Sequence, residues 1–334
     1  MSSNESSGEI PCANSRDDLP LLVVILGPTA VGKSEVALKL AEQFDGEIVS
    51  ADSRLFYRGM DIGTAKPTLQ QRLRIPHHLI DVADPDEVWS LALFQREAHK
   101  ALQGIYAQKH LPFLVGGTGQ FVRSIIEGWS LPSVVPDPRL REILTNWANS
   151  LGALELHHRL AILDPRSAHA IDPTNVRRTI RALEVIFSSG RRFSDQKRRG
   201  LVRYNPLLLG LTCSRAELYR RIDERIVSMI SSGFVNEVKS LLEQGYAPDL
   251  PTMSAIGYRE VQAYITGKIT LEEAVSIMKH RTRVFVRRQA NWFKLDDPRI
   301  CWFQADGTAF DEMGKTIKLW LKRINWEDFL PHHH

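Results

Sequence analysis

Cysteine is scarce: Cys12, Cys213 and Cys301 are the only three in 334 residues, odd in number and far apart. They offer neither a disulfide framework nor a C-x-x-C metal pair, which fits a reducing, cytoplasmic compartment. Long apolar runs are missing as well. The longest, around 19–26, has the length of a strand rather than of a bilayer span, so no membrane association is expected. There is no internal repeat and no low-complexity tract. Neither charge sign prevails, with 43 Lys and Arg against 39 Asp and Glu and a net charge of +4. That sum averages an acidic, polar N-terminus against basic stretches in the middle and near the end. Residues 1–18 lack both an apolar signal core and an Arg-rich amphipathic pattern and read as a disordered tail. The terminal run His332-His333-His334 takes no part in any metal argument.

Against these absences stands one full motif. Residues 27–34 read Gly27-Pro28-Thr29-Ala30-Val31-Gly32-Lys33-Ser34, a G-x-x-x-x-G-K-S loop directly after the apolar run Leu21-Leu22-Val23-Val24-Ile25-Leu26. An amphipathic helical pattern from Glu35 to Ala41 follows it. Such a loop aims backbone N–H groups and the positive end of the next helix at a di- or triphosphate. Lys33 then reaches the outer phosphate oxygens and Ser34 holds Mg²⁺. The motif leaves open whether the phosphate is transferred, hydrolysed or expelled as a leaving group.

Further apolar runs end in turn signals at 47–50, 78–82, 111–115 and 207–211, with helical patterns between them. This alternation predicts an α/β fold with a parallel sheet flanked by helices, whose ligands bind beyond the carboxyl ends of the strands. The phosphate loop, Asp52 and the turn Gly116-Gly117-Thr118-Gly119 each follow such a strand and should converge on one crevice. Between Pro132 and Asn205 the strand signals stop. Helical segments opened by Pro136-Asp137-Pro138, Asp164-Pro165 and Asp172-Pro173 suggest a helical insertion. The expected plan is a tail at 1–18, a first part of the core at 19–131, the insertion at 132–204, a mostly helical second part at 205–315 and a C-terminal tail at 316–334. Helices are expected at 215–231, 234–243, 258–266 and 271–293.

Several side chains suit phosphate chemistry. Asp52, at the end of the second strand, reads as a metal-shell ligand, as a general base for an acceptor nucleophile, or as a helix N-cap. Gly116-Gly117-Thr118-Gly119 stands where many nucleotide hydrolases carry a metal-binding Asp. Its glycines permit close backbone approach, and Thr118 either touches substrate or caps a helix. Arg221 and Arg225 share a helical face and either reach a leaving pyrophosphate or pair with Asp223 or Glu224. Adjacent His77 and His78 point to opposite faces of a strand and make a poor chelate. Basic residues gather in two clusters. The first comprises Arg177, Arg178, Arg181, Arg191, Arg192, Lys197, Arg198, Arg199 and Arg203, and the second Lys279, Arg281, Arg283, Arg287, Arg288 and Lys294. Each fits either a solvated face or a phosphate backbone, and their flanking of a phosphate-handling core favours nucleic acid.

The phosphate loop, Ala51-Asp52-Ser53, Tyr57-Arg58-Gly59-Met60-Asp61-Ile62-Gly63-Thr64-Ala65-Lys66-Pro67, Pro76-His77-His78-Leu79-Ile80-Asp81, Gly116-Gly117-Thr118-Gly119, Arg181-Ala182-Leu183-Glu184-Val185, Ala255-Ile256-Gly257-Tyr258 and Arg287-Arg288-Gln289 occur in this order. Together they resemble the bacterial-type tRNA dimethylallyltransferase family over about 21–303. The resemblance implies a P-loop NTPase-like core with a tRNA-binding helical insertion, acting as a monomer. The reaction implied is transfer of a dimethylallyl group from dimethylallyl diphosphate to N6 of an adenosine next to the anticodon. Residues 27–34, with Arg221 and Arg225, would bind the diphosphate, helped by Mg²⁺ on Ser34, with Lys33 and Thr118 assisting and Asp52 as base. Asp52, Ser53, Arg54, Leu55, Thr118, Arg141, Arg177, Arg178, Thr179, Ile180, Arg181, Arg283, Arg287 and Arg288 would meet tRNA. The target base would be extruded into the channel. Leu55 stands where many members have Gln, and Phe121 where Tyr is frequent. Two alternatives use the same core: prenylation of free AMP, ADP or ATP, which would not need the arginines of the insertion, and an ATP-dependent small-molecule kinase.

Overall fold

The computed structural model describes residues 18–132, 134, 137–196 and 200–324. Strand β1 (Leu21–Leu26) leads through the phosphate loop into α1 (Lys33–Gln43). Next come β2 (Gly46–Ser50), α2 (Leu69–Arg74), β3 (His77–His78), α3 (Leu91–Ala107), β4 (Leu111–Gly116) and α4 (Gly119–Ile126). Helices α5 (Pro138–Leu151), α6 (Ala153–Leu163), α7 (Pro165–Ala170), α8 (Val176–Ser189) and α9 (Phe193–Gln196) follow. The chain continues as β5 (Asn205–Thr212), α10 (Arg215–Ser231), α11 (Phe234–Glu243), α12 (Tyr258–Ile265), α13 (Leu271–Gln289), β6 (Ile300–Gln304) and α14 (Ala309–Ile324).

One compact unit is formed by Glu127–Val202 and the other by the chain before and after it. In the larger unit the described strands form one sheet in the order β3-β2-β4-β1-β5-β6, every pairing parallel. All six residues of β1 are buried. Leu21, Val23 and Ile25 join α1 and α10–α14 on one face, whereas Leu22, Val24 and Leu26 join α3 and α4 on the other. This two-sided burial explains the unbroken apolar run, and each such side chain contributes about 1.5–3 kcal/mol. Register aligns the carboxyl ends: Leu26 lies opposite Gly116 of β4 and Gly210 of β5, and Ser50 of β2 opposite Val115. The segments that leave those ends are the phosphate loop, the Asp52 turn and the Gly117 turn, brought together as expected.

The smaller unit has its own core, with Leu144, Leu156, Leu160, Ala182 and Leu183 buried among α5, α6 and α8. Asp137 and Asp164 cap α5 and α7, each with Pro at the first helical position. Pro136 lies outside the described residues. Asp172-Pro173 opens no helix, because Asp172 accepts from the N–H and hydroxyl of Thr174, leaving Asn175 to cap α8.

Further expectations need correction. The run 78–82 is not a strand: β3 ends at His78, and Leu79 (φ 61°) and Asp81 (φ 56°) turn the chain, which delivers the Asp81 carboxylate to Lys66 and Arg72. Strand β6 had no separate signal, since only Ile300 of its five residues is buried. Residues 316–324 are not tail, because they belong to α14, whose Met313, Ile317, Trp320 and Ile324 recur at helical spacing and are buried against the sheet. Residues 1–17, 325–334, Lys197, Arg198 and Arg199, with the expectations that concern them, lie outside the described residues. Cys213 is a free thiol.

Candidate active site

The phosphate loop is built by backbone constraint. Gly27 (φ 147°) approaches β5 so closely that a Cβ would stand 2.5 Å from the Leu211 carbonyl oxygen. Ala30 (φ 67°) and Gly32 (φ 103°) complete the left-handed turns that lead into α1. Lys33 donates to the Pro28 carbonyl oxygen at 2.7 Å. Burial lowers its pKa to about 8, with Asp52 pulling it back up and Arg225 pushing it further down. Ser34, in the first turn of α1, is exposed.

Asp52 leaves the end of β2 in a tight turn in which its Oδ1 accepts the Arg54 N–H at 3.0 Å. The side chain therefore sets its own loop, as a cap would, while bordering two cavities. One, of about 320 Å³, is lined by Lys33, Ser34, Asp52, Leu55, His77 and Arg225. The other, of about 390 Å³, is lined by Thr118, Gln289 and Trp292 together with the apolar Ile222, Ile226, Met229, Met278 and Phe285. Thr29, Ala30, Asp52, Thr64 and Arg225 border both. Thr118 caps α4 by its carbonyl, which accepts from the N–H groups of Phe121 and Val122, while the residue itself lines the larger chamber. Phe121 stacks on Phe94 at 4.4 Å, a packing role.

The two arginines of α10 divide their duties. Arg221 is consumed within the protein: Nε donates to Glu217, Nη1 to the Val31 carbonyl and Nη2 to the Ala305 carbonyl. It ties into the phosphate loop at Val31 instead of pairing with Asp223 or Glu224, and it also lines the cavity of about 320 Å³. Arg225 donates one bond, at 3.1 Å, to the Thr64 carbonyl and feels Asp52, with burial lowering its pKa. Gln289, which sequence reasoning quoted without a role, bridges the site: its Oε1 accepts the Thr29 N–H at 2.9 Å and its Nε2 donates to the Gly117 carbonyl at 3.1 Å. Lys66 is buried and donates to Tyr57 O, Asp61 and Asp81, anchoring the 61–66 loop.

The basic clusters separate in the same way. Arg283 is held by Asp223 at 2.6 Å and lies over the Tyr219 ring, so its guanidinium is engaged within the core. Arg287 and Arg288 are exposed, Arg288 at the larger chamber. In the smaller unit Glu184 is fully buried and accepts from Arg141, Arg181 and the Asp137 N–H, contacts that hold its pKa below the usual carboxylate value against burial. Thr179 and Ile180 are buried, so their side chains face this unit's core, and Arg141 and Arg181 serve Glu184. Arg177 and Arg178 are exposed in the first turn of α8. In the histidine pair, His78 bonds Glu47 and His77 bonds the Ile75 carbonyl.

The chain is similar to known proteins over most of its length. The family model described as IPP transferase matches residues 55–296. A tRNA dimethylallyltransferase of Roseiflexus sp. (strain RS-1) is 49% identical over 89% of this chain and 97% of its own length. One from Thermomicrobium roseum is 49% identical over 82% and 83%. Among solved structures, the full-length tRNA isopentenylpyrophosphate transferase of Bacillus halodurans is 39% identical, with a TM-score of 0.68 over 92% of this chain and 99% of that one. A eukaryotic dimethylallyltransferase acting on tRNA is 26% identical, with a TM-score of 0.76 over 94% and 81%. Phosphate loop, Asp52 turn and arginine helix thus meet in a frame shared over most of the chain, which belongs to the IPP transferase family.

Proposed function

We propose that this chain transfers a dimethylallyl group from dimethylallyl diphosphate to the exocyclic N6 of the adenosine next to the anticodon in tRNA, releasing diphosphate. The observation that carries this reading is the meeting of a cationic phosphate chamber and an apolar chamber at Asp52. A kinase acting on a small polar acceptor has no use for the wall of Ile222, Ile226, Met229, Met278 and Phe285, whereas a branched five-carbon group has.

Backbone N–H groups of the loop, Lys33 and Arg225 would hold the diphosphate, and they face the charge that develops on its oxygen as the allylic C–O bond breaks. The bonding electrons leave with the diphosphate. N6 forms the new N–C bond, and its proton passes to the Asp52 carboxylate. Ser34 fits Mg²⁺, a cation ordinarily held by one or two protein oxygens with water and substrate phosphates. The bound ion would neutralise charge on the departing group. The adenine must leave its stack to reach Asp52, so the enzyme works on an extruded base.

Arg177 and Arg178 support an RNA acceptor over a free nucleotide. They place two cations at the positive end of the α8 dipole, an unfavourable position that a polyanion reverses. The chain would act as a monomer in the cytoplasm. Among the described residues no helix is long and apolar enough to cross a membrane. Incubation with labelled dimethylallyl diphosphate and either unmodified tRNA or AMP, ADP and ATP decides the matter. Label is expected on tRNA, and label on free nucleotides alone would overturn the reading.

A further inference from the structure

Three consecutive backbone N–H groups of the 61–64 loop converge on one carboxylate. Glu237, on α11, accepts from Asp61 N at 2.9 Å and Ile62 N at 2.6 Å through Oε2, and from Gly63 N at 3.1 Å through Oε1. The same Oε1 accepts the Tyr258 hydroxyl at 2.7 Å. The loop is pressed into this arrangement, since a Cβ on Gly63 would stand 2.2 Å from the Phe234 ring and 2.8 Å from that of Tyr258. Its next residue, Thr64, offers the carbonyl that fixes Arg225, and it borders both chambers.

Successive N–H groups of this kind form a concavity that attracts an anion, and here a side chain of the protein supplies the anion internally. We infer that Glu237 is a positioning residue for the diphosphate site: by clamping the 61–63 amides it sets the Thr64 carbonyl and, through it, the direction of the Arg225 guanidinium. This inference rests on the proposed reading of the chambers. The chain of effect runs from carboxylate to amides to carbonyl to guanidinium, and no part of Glu237 needs to touch substrate.

The Glu237→Gln variant tests it. An amide offers one accepting oxygen where the carboxylate offers two, so its NH₂ faces either the Gly63 N–H or the Asp61 and Ile62 pair, leaving donors opposed. The expected result is a roughly tenfold rise in KM for dimethylallyl diphosphate and a similar loss of affinity for inorganic pyrophosphate, with kcat changed by less than about threefold, the scale of one charged hydrogen-bond set. A purely structural role would lower the amount of folded enzyme without changing pyrophosphate affinity per folded molecule. Equal pyrophosphate affinity in folded wild type and variant overturns the inference alone. Failure of the wild type to bind pyrophosphate overturns the diphosphate-site reading together with it. Should the variant not fold, hydrogen exchange on the wild type decides: slow exchange of the 61–63 amides supports the clamp, and exchange at unprotected rates refutes it.

Discussion

At Lys33 burial and charge pull against each other, and burial wins, lowering the pKa from 10.5 to about 8. The cation is therefore present below that value and lost as pH rises through it, so kcat/KM for the diphosphate donor should fall above about pH 8. A profile flat through that region would take Lys33 out of diphosphate binding. The same residue limits folding stability: burying the cation is costly below the folded pKa, and that cost fades as pH rises from about 8 toward 10.5. Asp52→Ala should leave tRNA binding nearly intact and lower kcat by roughly 10²–10⁴-fold, and near-normal single-turnover rates would refute its role as base. Both residues were legible because each follows an apolar strand at a fixed offset. Arg221 was half legible. Its helical face could be read, but its partners, the carbonyls of Val31 and Ala305, come from backbone that only the folded sheet brings near.

Helix α13 shows what element-level reading captures and misses. Its pattern from 271 onward predicted the helix, which ends at Gln289 rather than at 293. Its last residue could not be interpreted from sequence, since a glutamine near a helix end carries no signature of two distant backbone partners. Gln289→Leu should leave the Thr29 N–H and the Gly117 carbonyl unpaired, destabilising the fold by roughly 1–3 kcal/mol. Donor kcat/KM should also fall, by about tenfold, because the phosphate loop and the Gly117 turn lose their common strut. A variant with an unchanged melting temperature and unchanged donor kinetics would reduce Gln289 to passive packing. Strand β6 escaped notice for a related reason: it is an edge strand of five residues with mixed exposure, and its pairing to β5 is a tertiary event. Helix α14 was missed although its apolar spacing is regular.

On the proposed reading, donor chemistry and acceptor recognition would fall to different parts of the chain. Replacing Arg177 and Arg178 together by alanine should weaken tRNA binding across all sequences and lower the salt slope of log K by roughly one to two. Diphosphate kinetics should be untouched; a changed donor KM with tRNA affinity intact would contradict this division. The insertion is expected from sequence at 132–204, and the smaller compact unit spans Glu127–Val202. It occupies the connection from β4 to β5, which passes the intervening strand β1. No ladder hydrogen bond counts the residues in such a crossover, and lengthening a connection adds little closure entropy. On the proposed reading the crossover would act as an exchangeable cassette: RNA preference could drift, or be transplanted between relatives, while the strand ends that align Gly27, Asp52 and Gly117 keep their register.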